Sequence, residues 1–289
     1  MRIAKSMQLP LALALSFLPI QPTCRAADPP PQAFQLPLEI YDGYLLVVEG
    51  NVGARHGLKF LLDTGATHTT IDVNLARSVG TPPRKVKILN GDHVVAVDQI
   101  TFPELSLGPL QARNIDVTVA DLGYLRARGL AVDAILGLDI LSRRNLLLDL
   151  AQKRVTFGAA PILPHGAALR VDPISIQVQI DVDGHPAWMI ADTGTPAILF
   201  FEDRLAALRV PYRTTGRIMG TTFSGSVDSI IAAVPHLRIS GQDLAPRVYL
   251  SATPSSSLVA NTAGYFGIAS LHARRIVFDF ENHQLRWAE

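Results

Sequence analysis

Phe60-Leu61-Leu62-Asp63-Thr64-Gly65-Ala66-Thr67 is an apolar run that ends in an acid, a hydroxyl and a glycine, and it has a second copy. That copy is Met189-Ile190-Ala191-Asp192-Thr193-Gly194-Thr195-Pro196. A short continuous apolar run bounded by turn residues reads as a buried strand. Each copy therefore delivers a carboxylate off the end of a strand and into a turn. A single Asp-Thr-Gly is a weak signal in a chain of this length, but two of them on matching strands are not a matter of composition.

The landmarks around the two copies keep step. Asp63 and Asp192 lie 129 residues apart. Downstream, Ala134-Ile135-Leu136-Gly137-Leu138 answers Gly264-Tyr265-Phe266-Gly267-Ile268, with Gly137 and Gly267 130 apart. Leu146 to Leu150 answers Ile276 to Phe280, with Asp149 and Asp279 also 130 apart. Phe102 to Gly108 echoes Val234 to Ser240 at an offset of 132, which points to unequal loops. A near-constant offset over several landmarks is the signature of a duplicated module.

The order strand, Asp-Thr-Gly, hairpins, apolar-apolar-Gly resembles that of the aspartic peptidases, and more closely the retropepsin-like group found in bacterial proteins. The resemblance runs from about Leu36 to the C-terminus. It implies a mostly β fold: two pseudo-symmetric retropepsin-like (acid-protease) β-barrel lobes in one chain, each with one or two short helices. The lobes are expected at 36–160 and 161–289, divided near Pro161 to Pro164 and His165-Gly166. The resemblance makes Asp63 and Asp192 the catalytic pair. It makes Thr64, Gly65 and Ala66, with Thr193, Gly194 and Thr195, the turns that support them. The two threonines after the acids would bond across the lobe interface. In the family a hydroxyl one place after the glycine donates to its carboxylate; Thr195 offers one and Ala66 does not. The implied working pH lies between those of the most acidic pepsins and the near-neutral retroviral enzymes.

Two like-charged carboxylates held together cannot both ionise, so they share a proton, one acting as base and the other as acid. That chemistry hydrolyses a peptide bond with water as nucleophile and needs neither cofactor nor metal. Val86 to Val95, with Asn90-Gly91 at its middle, is the clearest hairpin signal in the chain. By the resemblance it is a substrate-covering flap. Arg217 to Val227, with Thr222 and Phe223, is the candidate flap of the second lobe. No tyrosine stands near the first hairpin turn, unlike in pepsins.

The flanking sequence concerns address and partners. Met1 to Lys5 is basic, Leu9 to Ile20 is apolar, and Cys24-Arg25-Ala26-Ala27 ends in small residues. This reads as a secretory signal over 1–26, followed by a Pro-rich leader over 27–35. The single cysteine falls in the signal, so the mature chain would have no thiol chemistry. That usage suits a bacterial periplasm or secretion. Without Arg2, Lys5 and Arg25 the chain has 23 basic and 25 acidic residues, a formal charge of −2. Nothing there favours nucleic acid or stable membrane insertion. The expected partner is a polypeptide substrate, and one chain suffices for the pair of acids.

Short helices are expected at Val73 to Val79 and Glu202 to Leu208, with turns at Gly53 to Gly57 and at Asp183-Gly184. Asp181-Val182-Asp183-Gly184 lacks the later ligands of a calcium loop and reads as a hairpin turn. His68, His93, His185 and His236 have no metal spacing and are expected at solvent or hairpin positions. Asp149 and Asp279 are expected to begin turns. Together these features predict an exported aspartic endopeptidase; the alternative is a non-catalytic module that holds a peptide in the same inter-lobe cleft.

Overall fold

A computed structural model describes residues 32–90, 93–222, 225–252, 254 and 261–289. The signal sequence, most of the leader, and Gly91 and Phe223 of the candidate flaps lie outside the described residues. The fold is mostly β. Among the described residues no helix is long and apolar enough to cross a membrane.

The first half forms an eight-stranded sheet. In spatial order its strands are Glu39–Tyr41, Leu45–Val52, Arg55–Leu62, Ala134–Leu136, Thr70–Asp72, Leu110–Ala120, His93–Leu107 and Arg84–Asn90. Leu45–Val52 also pairs with His93–Leu107, which curls the sheet back on itself. The second half runs His165–Val171, Ile176–Val182, His185–Asp192, Gly264–Gly267, Ile198–Phe201, Arg247–Ser251, Gly225–Ala233 and Arg213–Thr222. Position by position this is the same order. The parallel pairings match too: Arg55–Leu62 with Ala134–Leu136, and His185–Asp192 with Gly264–Gly267.

The strands that end in aspartate are apolar without alternation because both of their faces are covered. Phe60 and Leu62 point into the main core, while Leu61 joins a smaller cluster on the opposite face. Met189 and Ala191 repeat the first role, and Ile190 the second.

Between the halves lies a run of sheet that belongs to both. Leu146–Asp149 pairs with Arg275–Asp279, and outside them lie Arg154–Phe157 and Gln284–Ala288. Phe34–Pro37 adds the outermost strand on Arg154–Phe157, with Phe34 stacked on Phe157. Phe34 and Gln35 fall inside the stretch read as leader, so the sheet starts two residues earlier than the Leu36 boundary. The main core includes Leu146 and Leu148 from one half and Ile276, Phe278 and Trp287 from the other.

Two local expectations shift. The first hairpin turns at Gly53-Ala54, with Val52 opposite Arg55, rather than over Gly53 to Gly57. Gly53 has φ +52, so two residues suffice. Asn90 pairs with His93, so the strand runs on through a residue assigned to the turn. Phe102 to Gly108, matched as a stretch to Val234 to Ser240, forms up to Leu107 the end of a fifteen-residue strand. Pro103 is tolerated within it because it is exposed and unpaired, facing a ladder break at Asn114 (φ +51).

The helices are Val73–Val79, Gly123–Arg126, Leu138–Leu141 and Glu202–Ala207, with a 3-10 turn at Ile268–Leu271. Asp72 caps the first by accepting the Asn74 N–H at 2.9 Å, and Gly80 closes it with φ +74. Gly137 and Gly267, at matching places in the repeat, each end a strand and open a helical turn.

Candidate active site

Asp63 and Asp192 leave parallel strand pairs at matching points. The Asp63 N–H donates to Leu136 O at 3.0 Å, and Asp192 sits opposite Gly267 in register. The two turns then lock together through their threonines. Thr64 Oγ1 donates to Ala191 O at 2.8 Å, and Thr193 Oγ1 donates to Leu62 O at 2.8 Å. Each hydroxyl also accepts the other threonine's N–H, at 3.0 Å from Thr64 and 3.1 Å from Thr193. Four buried bonds thus join the halves next to the acids.

The glycines make the close approach possible. A methyl group on Gly65 would lie 2.5 Å from the carboxyl carbon of Asp192, and one on Gly194 would lie 3.0 Å from that of Asp63. Each turn therefore packs directly on the other half's carboxylate. Gly65→Ala is expected to destabilise more than Gly194→Ala, by about 1–3 kcal/mol as an overpacking change. Urea midpoints of the two variants test this, and the reverse order would contradict the packing.

Both aspartates are 0% exposed. Asp63 Oδ1 accepts the Gly65 N–H at 2.9 Å and Asp192 Oδ1 the Gly194 N–H at 2.6 Å. The Oδ2 atom of each is buried without a partner. Burial pushes the Asp63 carboxyl up to about 6, against the pull of Asp192 and of the Gly65 and Ala66 amides. Burial, and then the charge of Asp63, holds Asp192 well above the usual carboxylate range. The pair therefore holds a proton to higher pH than free carboxyl groups would.

The Thr195 hydroxyl differs from the expectation. Its Oγ1 is buried with no hydrogen-bond partner, so only its backbone N–H acts on Asp192. The acidifying bond expected from the side chain is absent from this structure. Thr195→Ala is therefore expected to leave the acid limb of a pH–rate profile in place. An alkaline shift in Thr195→Ala would restore the hydroxyl bond.

His68 is not at a solvent position. It is only 9% exposed, and its Nε2 is buried without a hydrogen-bond partner. Its charge acts on Asp139, whose carboxyl is raised by burial and whose Oδ1 accepts from the Thr69 N–H and hydroxyl at 3.0 and 2.8 Å. The helix that opens at Gly137 brings this acid beneath the Asp63 turn, where no motif pointed to it. His185 is exposed beside the Asp183-Gly184 hairpin turn, and His236 is exposed in the link between strands Gly225–Ala233 and Leu237–Ile239. Asp149 and Asp279 begin turns, accepting the N–H groups of Gln152 and Asn282. Asp181 likewise accepts the Gly184 N–H, and Asp183 and Gly184 have φ +50 and +84. Among the described residues no group of three or more His, Cys, Asp or Glu side chains converges as a metal site.

The candidate flaps are long hairpins, Arg84–Asn90 with His93–Leu107 and Arg213–Thr222 with Gly225–Ala233. Their strand ends reach Asn90 and Thr222. Ile218 and Val227 of the second pack against the cluster that holds Ile190.

Residues 48–140 match a family model described as aspartyl protease. This segment is similar to the aspartyl proteases. No curated protein matches the chain. The matched segment opens in strand Leu45–Val52 and closes in the helix after Gly137, so it holds Asp63 but not Asp192. The match supports a protease function.

Proposed function

We propose that the chain is an exported, two-lobed aspartic endopeptidase in which Asp63 and Asp192 share one proton and water is the nucleophile. The observation that carries this is the reciprocal threonine lock, which sets two buried carboxyl groups side by side and leaves Oδ2 of each with no partner outside the pair. A purely structural turn would have no reason to bury two unpaired carboxyl oxygens.

In this reading a water molecule lies between the two Oδ2 atoms. The ionised carboxylate takes its proton as its oxygen bonds to the peptide carbonyl carbon. The other carboxyl gives its proton to the carbonyl oxygen, forming a tetrahedral diol. A proton then passes from the dyad to the amide nitrogen, the C–N bond breaks, and a hydroxyl proton of the diol returns to the dyad. An acid and an amine leave, and the pair again holds one proton. The carboxyl groups are inaccessible in the resting chain, so substrate binding must part the cleft. One chain supplies both acids, and the sequence of 1–26 directs export to the periplasm or beyond.

The test is cleavage of a random peptide pool at several pH values by the wild-type protein and by Asp63→Asn. Internal cleavage by the wild type and none by the variant is the expected result. A wild type that binds peptides without cutting them would favour the binding-module alternative.

A further inference from the structure

The hydroxyl of Tyr124 is buried and has no hydrogen-bond partner. The residue as a whole is half-buried, while its hydroxyl is fully buried. Tyr124 packs against the cluster of Tyr44, Leu61, Leu125 and Ile135. Leu61 is two residues before Asp63, and Ile135 is its register partner on the neighbouring strand. Asp63 is the strongest charge acting on the phenol, which burial raises further above its usual range.

The segment that carries Tyr124 is firmly held. Asp72, buried at the cap of helix Val73–Val79, accepts the Leu122 N–H at 3.1 Å and Arg126 Nη1 at 2.8 Å on its Oδ2. Asp121 Oδ1 accepts the Gly123 N–H at 2.7 Å and Arg126 Nη2 at 3.1 Å. Tyr124 thus sits between residues tied to the rigid scaffold on both sides. A buried, unpartnered hydroxyl costs stability, and the loss needs an explanation. Oδ2 of Asp63 and Oδ2 of Asp192 are unpartnered as well. The phenol, unpartnered and held against the strand that carries Asp63, is thus available to donate to a group bound at the carboxyl pair.

We infer that Tyr124 is a substrate-contacting residue, its hydroxyl donating a hydrogen bond to the peptide group bound over Asp63 and Asp192. This rests on the aspartic-peptidase reading. The bond forms to the carbonyl oxygen as it gains charge towards the tetrahedral centre, so it strengthens in the transition state. No proton is transferred by Tyr124, and the dyad chemistry is unchanged.

The experiment uses the full-length protein and a fluorogenic peptide chosen from those the wild type cleaves. Tyr124→Phe keeps the ring and its packing and removes only the hydroxyl. The expected result is a fall in kcat of about 10- to 100-fold, with KM changed less than about threefold. The thermal midpoint should rise by about 2 °C, because an unpaired buried hydroxyl has gone. Wild-type kcat and KM in Tyr124→Phe would overturn the inference and leave the peptidase reading standing. A fall in both kcat and thermal midpoint would also overturn it, since the hydroxyl would then make a structural bond. If the wild type cleaves nothing that Asp63→Asn fails to cleave, the peptidase reading itself falls, and this inference with it.

Discussion

Asp192→Asn is expected to abolish peptide hydrolysis and, at alkaline pH, to make the protein more stable. The loss of activity follows from dividing acid and base between two groups: one carboxyl cannot serve as both, and a reduction of about 10³-fold or more is expected. The gain in stability follows from burial. The folded chain raises both carboxyl groups above the unfolded value of 3.8, so it binds more protons than the unfolded chain does. Their contribution is therefore complete below about pH 4 and is lost as pH rises through the folded values. Each unit of raised pKa is worth about 1.4 kcal/mol, so the wild type gives up on the order of 3 kcal/mol at Asp63 by pH 8. Asn at position 192 cannot ionise and escapes the Asp192 share of the loss, which comes in addition to that at Asp63. Thermal midpoints of wild type and Asp192→Asn should separate by several degrees at pH 8 and converge near pH 3.5. A difference that does not change with pH would mean that the carboxyl groups are hydrated and their burial in this structure is wrong. Retention of turnover by the variant would show that Asp63 works with another group.

Removing the lock should have the next largest effect. Thr193→Val keeps the shape of the side chain but deletes a hydroxyl that donates to Leu62 O and accepts from the Thr64 N–H. Both backbone groups would then be buried without partners, at a cost of about 2–4 kcal/mol. The loss falls at the contact between the halves, so activity should drop with stability as the carboxyl groups lose their spacing. Thr193→Ser keeps the hydroxyl and should stay close to wild type in urea midpoint and kcat. Equal midpoints for Val and Ser would show that the crossed bonds do not hold the halves together.

Much of the architecture could be read from local pattern because the strands around the acids are short, apolar on both faces and ended by glycine. That pattern specifies a mostly β chain without reference to any long-range contact. Helix Val73–Val79 was equally open to reading, since its cap Asp72 and its closing Gly80 lie in sequence beside it. The Asp183-Gly184 turn was found for the same reason.

The sequence by itself determined the β class, the constant spacing of the two Asp-Thr-Gly stretches and the chemistry that such a pair can support. Only the tertiary structure decided which groups meet. Thr195 follows the motif in composition, yet its hydroxyl has no partner, because a rotamer is set by the packing around it. His68, expected at a solvent or hairpin position, is buried, with its backbone close against Gly137. Tyr124 belongs to no motif: 61 residues separate it from Asp63, and a short helix tied to Asp72 brings it beside the strand that carries that acid. Sequence periodicity records which face of an element is buried; it does not record what another element, folded from far along the chain, brings against that face.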